Sequence, residues 1–386
     1  MSVRLPVTLD TVSLKTWPGF LVDLLPQGFA RTKIAKAVLV DLPVSAPAFD
    51  LPLLLHGGGS PIGNLRIRDA WESERDRLAE LPIVGIADSG LQEASERFPD
   101  RVASLLESAG GSNNVQGEWP KLLLTKAADG LWYPDAAVDD HDARQHALVK
   151  LKRGSAGGPF DLILQSEAAY WEAAKAFGLR VGGKPVLGPN ALVIPRFDRA
   201  CLDGRVARFG QESLYSACGV VEPGATGTHE GYIRLLAGVA TDPVAEIIEY
   251  VLRDLLNLAM GNPDNHGRNT ALQKRAGWIG LTPLFDFAPM RLHPDVIAPS
   301  TKWACLGTGG SYRPSEIAAA VEDASEGKVG REVMLAALQA KGSFLRDINS
   351  TPCASRLTPA VATLALARCP ELAEALYSAG AFGPIS

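Results

Sequence analysis

At 386 residues the chain is long enough for two lobes with separate cores, since single hydrophobic cores seldom grow past ~250 residues. Its 46% hydrophobic and 21% charged content, with 38 Gly and 27 Pro, is that of a folded globular protein with many turns and excludes a disordered chain. A formal net charge of -5 excludes a generally basic nucleic-acid-binding surface, leaving a local cluster at Lys150, Lys152 and Arg153, so DNA is expected to be met only through a partner.

The opening stretch, MSVRLPVTLDTVSLKTW, lacks the apolar segment of a signal peptide, and no run approaches the ~18 apolar residues of a membrane span. A soluble, cytoplasmic protein without a membrane partner is expected. The cysteines at 201, 218, 305, 353 and 369 are scattered, with no CxxC pair, and read as reduced structural thiols.

Up to about Arg199 the chain is mixed. Short strand-like runs (AKAVLVDL, LPIVGIA, KLLLTKA, HALVKLK, ALVIPRF) alternate with Gly/Pro turns, and DLLPQGFAR supplies a turn at Pro26 to Gly28 beside a short helix. The segment DLILQSEAAYWEAAKAFG is helical, with Ser166 as an expected N-cap and Gly178 as its end. Beyond Arg199 helices dominate. TDPVAEIIEYVLRDLLNLAM has Asp242 as N-cap, Pro243 in the first turn and apolar residues at 244, 247, 248, 251, 255 and 258. Helices are also expected at SEIAAAVEDA, GREVMLAALQA and TPAVATLALARCPELAEALYS. The reading is an α+β, bilobal chain: residues 1–198 form a smaller α/β lobe and residues 199–386 a larger, mainly helical lobe.

The polar run GNPDNHGRN follows the most apolar helix directly. Asp264 and Asn269 have the D-x-x-x-x-N spacing of the protein-kinase catalytic loop, in which Asp accepts the substrate hydroxyl proton and Asn holds magnesium. Asp286, in LTPLFDFAP, stands where a second metal-binding carboxylate is expected. His266 and Arg268 add donors for phosphate oxygens or for orienting Asp264. Read alone, the same run is equally a turn-forming loop.

Upstream, HALVKLK sets Lys150 at an apolar strand, as kinases set the lysine that meets the nucleotide phosphates. Alone it also reads as a strand-end lysine reaching water. Glu167 follows as a partner for Lys150 or as a first-turn acid favoured by the helix dipole. The backbone from Pro195 through Arg196 to Phe197 reads as a hinge facing adenine or as a buried strand ending in a charged turn. Gly- and Asn-rich AGGSNNVQGEW reads as a phosphate-covering or a plain surface loop.

Taken in order, ESAGGSNNVQGEWPKLLL, HALVKLK, ALVIPRFDR, ARFGQESLYSACGV, GNPDNHGRNTAL and LTPLFDFAPM resemble the HipA-type serine/threonine kinases, with the YjjJ or HipH branch as the suggested fit. DLLPQGFAR and GSPIGNLRI extend the likeness toward the N-terminus. The resemblance implies a protein-kinase-like fold, ATP and magnesium as cofactors, Asp264 as catalytic base, and Asn269 with Asp286 as metal ligands. It implies further that His266 and Arg268 lie at the nucleotide, that Lys150 meets phosphates, that Pro195, Arg196 and Phe197 frame adenine, and that Gly117 and Lys121 belong to the phosphate loop. Ser112 resembles the family's autophosphorylated serine, and VQGEWPK stands where the family more often has GAQPK. The family's substrate would be an aminoacyl-tRNA synthetase, its restraining partner a helix-turn-helix antitoxin. A metal-dependent phosphoesterase or nuclease, built on Asp264, His266 and Asp286, is one alternative. A non-catalytic regulator with a kinase fold is another.

Overall fold

The computed structural model describes residues 2–5, 8–25, 31, 50–92, 121–152, 154–189, 191–222, 224–307 and 311–379. Two compact units emerge: a sheet unit, Val12–Ser155 with Gly182–Gln211, and a helical unit, Met1–Thr11, Ala156–Val181 and Glu212–Ser386. This division differs from the single boundary expected after residue 198. The helix Pro159–Phe177 joins the helical unit because Tyr170, Ala173, Ala174 and Phe177 are buried in that unit's core. Arg199, expected to open the second lobe, pairs instead with Asp135 of the sheet unit.

In the sheet unit, strands β1 (Lys121–Lys126), β2 (Trp132–Pro134), β3 (Gln145–Leu151), β4 (Val186–Leu187) and β5 (Ala191–Pro195) pair in the order β2-β1-β3-β5-β4, antiparallel throughout. Side chains of a strand alternate between faces. Leu122, Leu124, Ala147, Val149 and Ala191 therefore share one face and pack with Ile86, Leu91 and Trp132. Register fixes the opposite face: Lys121 stands directly across from Lys150, and Thr125 from His146. The run LPIVGIA makes only an isolated bridge, in which Ile86 exchanges both backbone hydrogen bonds with Trp132. The expected strand AKAVLVDL, the turn at Pro26 to Gly28, Arg153, and the loop carrying Ser112 and Gly117 lie outside the described residues.

The helical unit is built around Pro243–Ala259. Asp242 caps it by accepting from the Ala245 amide, Pro243 fits the first turn, and Ile247, Val251, Leu255 and Ala259 are fully buried. Val244, expected on this face, is exposed. Helices His229–Val239, Pro314–Ala324 and Arg331–Gln339 complete the packing, with the hairpin Ala271–Arg275/Trp278–Leu281 beside them. The last expected helix is broken in two, Pro359–Ala365 and Cys369–Ser378. Pro370 lacks the N–H that would continue the first helix and suits the opening turn of the second.

Helix Pro159–Phe177 begins seven residues ahead of the expected cap at Ser166, with Gly158 as N-cap and Pro159 in its first turn. Ser166 instead turns its hydroxyl back to the Leu162 carbonyl at 2.7 Å, and Glu167 lies buried in the middle of the helix, away from the first turn. Gly178 ends the helix with φ +94°, a left-handed conformation that costs glycine little. No helix among the described residues is long and apolar enough to cross a membrane.

Candidate active site

The polar loop starts where the buried helix can no longer continue. Met260 closes the last turn on Leu256, Gly261 takes φ +66°, and its carbonyl accepts from the Arg291 amide. Tyr170 donates to the Met260 carbonyl at 2.6 Å, and its ring lies 4.9 Å from that of Phe287. One buried side chain thus braces both the entrance to the Asp264 loop and the residue after Asp286.

Within the loop the six residues from Asp264 to Asn269 close on themselves. Asn269 Nδ2 donates to the Asp264 carbonyl at 2.9 Å and to Asp264 Oδ2 at 3.2 Å. His266 Nε2 lies 3.4 Å from the other carboxylate oxygen. The Arg268 amide donates to His266 Nδ1, which assigns the ring proton to Nε2, facing Asp264. The carboxylate is therefore held on both sides while a quarter of its side chain remains accessible. Such a carboxylate is fixed in direction yet open to a substrate hydroxyl.

Surrounding elements hold the loop as a unit. Amides at the start of helix Leu214–Cys218 bond to it, Leu214 to the Thr270 carbonyl at 2.9 Å and Tyr215 to the Gly267 carbonyl at 3.2 Å. Gly267 has no room for a side chain: a Cβ there would collide with the Tyr215 ring and the Tyr232 hydroxyl. Asn265 is bonded to Thr301, on the strand Thr301–Lys302. Asp286 has φ +50°, a left-handed conformation that Asp adopts more readily than most residues other than glycine. Its position follows from its neighbours, since Leu284 donates to the Arg180 carbonyl and Phe287 is buried.

The structure thus brings Asp264, His266, Arg268 and Asn269 together in one loop, with Asp286 on a second segment of the same unit. Lys121 and Lys150 are a directly opposed, buried pair in the sheet unit. Their Cβ atoms are expected about 5 Å apart, which concentrates positive charge at one spot on the sheet.

Arg196 belongs to the backbone expected to frame adenine, and its own bonds lie within the sheet unit. Its amide donates to the His146 carbonyl as part of strand pairing. Its guanidinium is buried, forked onto Asp198 at 2.8 and 2.6 Å and bonded to Asp135. Arg199 bonds Asp135 as well, and Thr125 donates to the same carboxylate. Burial pushes both acids upward, but the arginine charges outweigh it and hold Asp135 well below the ordinary carboxylate range, and Asp198 below it. Burial lowers Arg196, and its two carboxylates more than reverse that. Arg199 stays lowered, by burial and by the neighbouring Arg196 charge. Arg196 is a structural anchor of the sheet unit.

Tyr170, Asn265 and Thr301 carry no motif that marks them in the sequence. The only local signal was Asn265 itself, an amide inside a loop of functional amides.

Magnesium prefers hard oxygen donors and keeps several waters, so one carboxylate and one amide oxygen suit it. With Asn269 Nδ2 turned toward Asp264, the amide oxygen points away from that bond, which fits the role of a ligand beside Asp286. No group of three His, Cys, Asp or Glu residues is arranged to hold a metal among the described residues.

Comparison with known proteins gives three likenesses. The chain is 27% identical over 309 residues to Y4mE, a candidate kinase of Sinorhizobium fredii (strain NBRC 101917 / NGR234), covering 77% of this chain and 70% of that one. Its fold matches that of Shewanella oneidensis MR-1 HipA, solved as a toxin–antitoxin complex with HipB and operator DNA, at a TM-score of 0.61 and 17% identity over 95% of this chain and 88% of HipA. The α+β fold expected from the sequence is accordingly the HipA fold. The model of the HipA-like C-terminal domain matches residues 113–340, more than half of the chain, and the protein belongs to that family.

Proposed function

We propose that the protein is an ATP- and magnesium-dependent kinase that phosphorylates a serine or threonine hydroxyl of another protein. The reading rests above all on the closed Asp264-to-Asn269 loop, in which Asn269 fixes the carboxylate that would meet the hydroxyl. Asp264 accepts the hydroxyl proton as the substrate oxygen bonds to the γ-phosphorus and the bond to the β–γ bridging oxygen breaks, releasing ADP. Lys150, with Lys121 beside it, draws the phosphates, and Arg268 adds positive charge near the transferring group. Asn269 and Asp286 would hold magnesium, which would neutralise charge on the phosphates.

The acceptor in this reading is an aminoacyl-tRNA synthetase in the cytoplasm, and a helix-turn-helix antitoxin restrains the enzyme and carries any contact with DNA. Support for the partner comes from the HipA fold, seen elsewhere with HipB and DNA. Hinge contact with adenine falls in this reading to the backbone of Pro195, Arg196 and Phe197. Gly117 and Ser112 keep the roles that the family resemblance implies, phosphate loop and autophosphorylation.

The test is incubation of the protein with magnesium and γ-labelled ATP in a bacterial lysate, beside Asp264→Ala. A labelled band that depends on Asp264 is expected and identifies the acceptor. Label transfer that persists in Asp264→Ala would overturn the assignment of the base.

A further inference from the structure

Asn265 lies directly after Asp264, and three hydrogen bonds tie it to one distant residue, Thr301. Its Nδ2 donates to the Thr301 carbonyl at 3.1 Å, the Thr301 amide donates to Asn265 Oδ1 at 3.3 Å, and the Thr301 hydroxyl donates to the Asn265 carbonyl at 2.8 Å. The side-chain amide thus imitates a strand backbone. Thr301 pairs with Gly227 on one side, through the parallel strands Gly227–Thr228 and Thr301–Lys302, and Asn265 takes the hydrogen bonds on the other.

The anchor is itself fixed. Thr301 is 2% exposed. Two residues on, Trp303 donates to Asp254 at 2.8 Å and stacks on His229 at 4.7 Å between ring centres. The next two amides, Ala304 and Cys305, are both taken by Glu230. Thr301 therefore cannot drift with the loop. The loop must conform to it.

We infer that Asn265 and Thr301 form a positioning pair that sets where the Asp264 carboxylate stands. This rests on the kinase reading for its effect on turnover, but the clamp is a property of the fold. Thr301→Val keeps the shape and both backbone groups while removing the hydroxyl, and with it the bond to the Asn265 carbonyl and the contact with the Tyr232 hydroxyl. A misplacement near 1 Å costs about a hundredfold in rate when geometry is what catalyses.

The experiment combines two readouts on wild type, Thr301→Val and Thr301→Ser. Amide hydrogen exchange over residues 261–270 reads the clamp, and steady-state phosphoryl transfer reads its consequence. Thr301→Val is expected to speed exchange in that peptide and lower kcat by about tenfold to a hundredfold, with KM for ATP within about twofold. Thr301→Ser, which restores the hydroxyl, is expected to return both toward wild type. Unchanged exchange in Thr301→Val overturns the clamp. Faster exchange with unchanged kcat overturns the positioning role, as does a kcat loss that Thr301→Ser shares. A wild type that transfers no phosphoryl group refutes the kinase reading and with it the effect on turnover, while exchange still decides the clamp.

Discussion

Replacing Asp135 with alanine should unfold the sheet unit more readily than any surface change. The side chains of Asp135, Asp198, Arg196 and Arg199 are each 2–4% exposed and together are neutral. Asp135→Ala leaves two buried guanidinium groups sharing one carboxylate, and Thr125 loses an acceptor. Breaking a buried ion pair from one side costs about 3–5 kcal/mol, because the remaining charge has neither water nor partner. Domains are stable by roughly 5–15 kcal/mol, so this is a large share of the total. Urea unfolding of the full chain, followed by circular dichroism, should show the midpoint falling sharply, while removing the exposed Arg346–Asp347 pair should leave it unchanged. A loss below about 1 kcal/mol for Asp135→Ala would refute the reasoning, since it would mean that the charges are solvated or replaceable.

The same cluster sets an acid limit. Folded Asp135 and Asp198 titrate below the unfolded value of about 3.9, so their contribution is present above that value and is lost as pH falls through it toward the folded values. The wild-type urea midpoint should therefore drop between about pH 5 and pH 3, and Asp135→Ala should drop less over the same range; equal slopes would count against the linkage. Asp286→Asn should lower phosphoryl transfer by orders of magnitude with an unchanged circular dichroism spectrum, because Asn tolerates the left-handed backbone while the carboxylate proposed to hold magnesium is lost; full activity would remove Asp286 from the site. Gly267→Ala should cost about 1–3 kcal/mol and most of the turnover, since the buried rings of Tyr215 and Tyr232 leave no space, and a wild-type melting temperature would contradict that packing.

What the sequence disclosed was whatever is local. The short strand-like runs KLLLTK and HALVKL, set off by Gly/Pro turns, announced the central strands, and the Asp242-Pro243 start announced the long helix. The Asp264-to-Asn269 spacing was legible because six adjacent residues contain the whole motif. Ser166 misled because serine is equally able to cap a helix or to bond back into one, and the Gly158-Pro159 start carried the better signal. The ion pair of Arg196 was illegible for a different reason: its partner, Asp135, is 61 residues away. Asn265 and Thr301 are separated by 36 residues, and no local pattern joins an amide in a loop to a threonine on a two-residue strand.

The order in which the units draw on the chain governs when the loop can mature. All residues of the sheet unit have been synthesised by Gln211, whereas the core of the helical unit also draws on Cys369, Leu372 and Leu376. Cys369 bonds to the carbonyl of Ala259, in the last turn before the loop. A ribosome-bound chain can therefore assemble its sheet unit before residues 369–378, which pack against the last turn ahead of the Asp264 loop, have emerged.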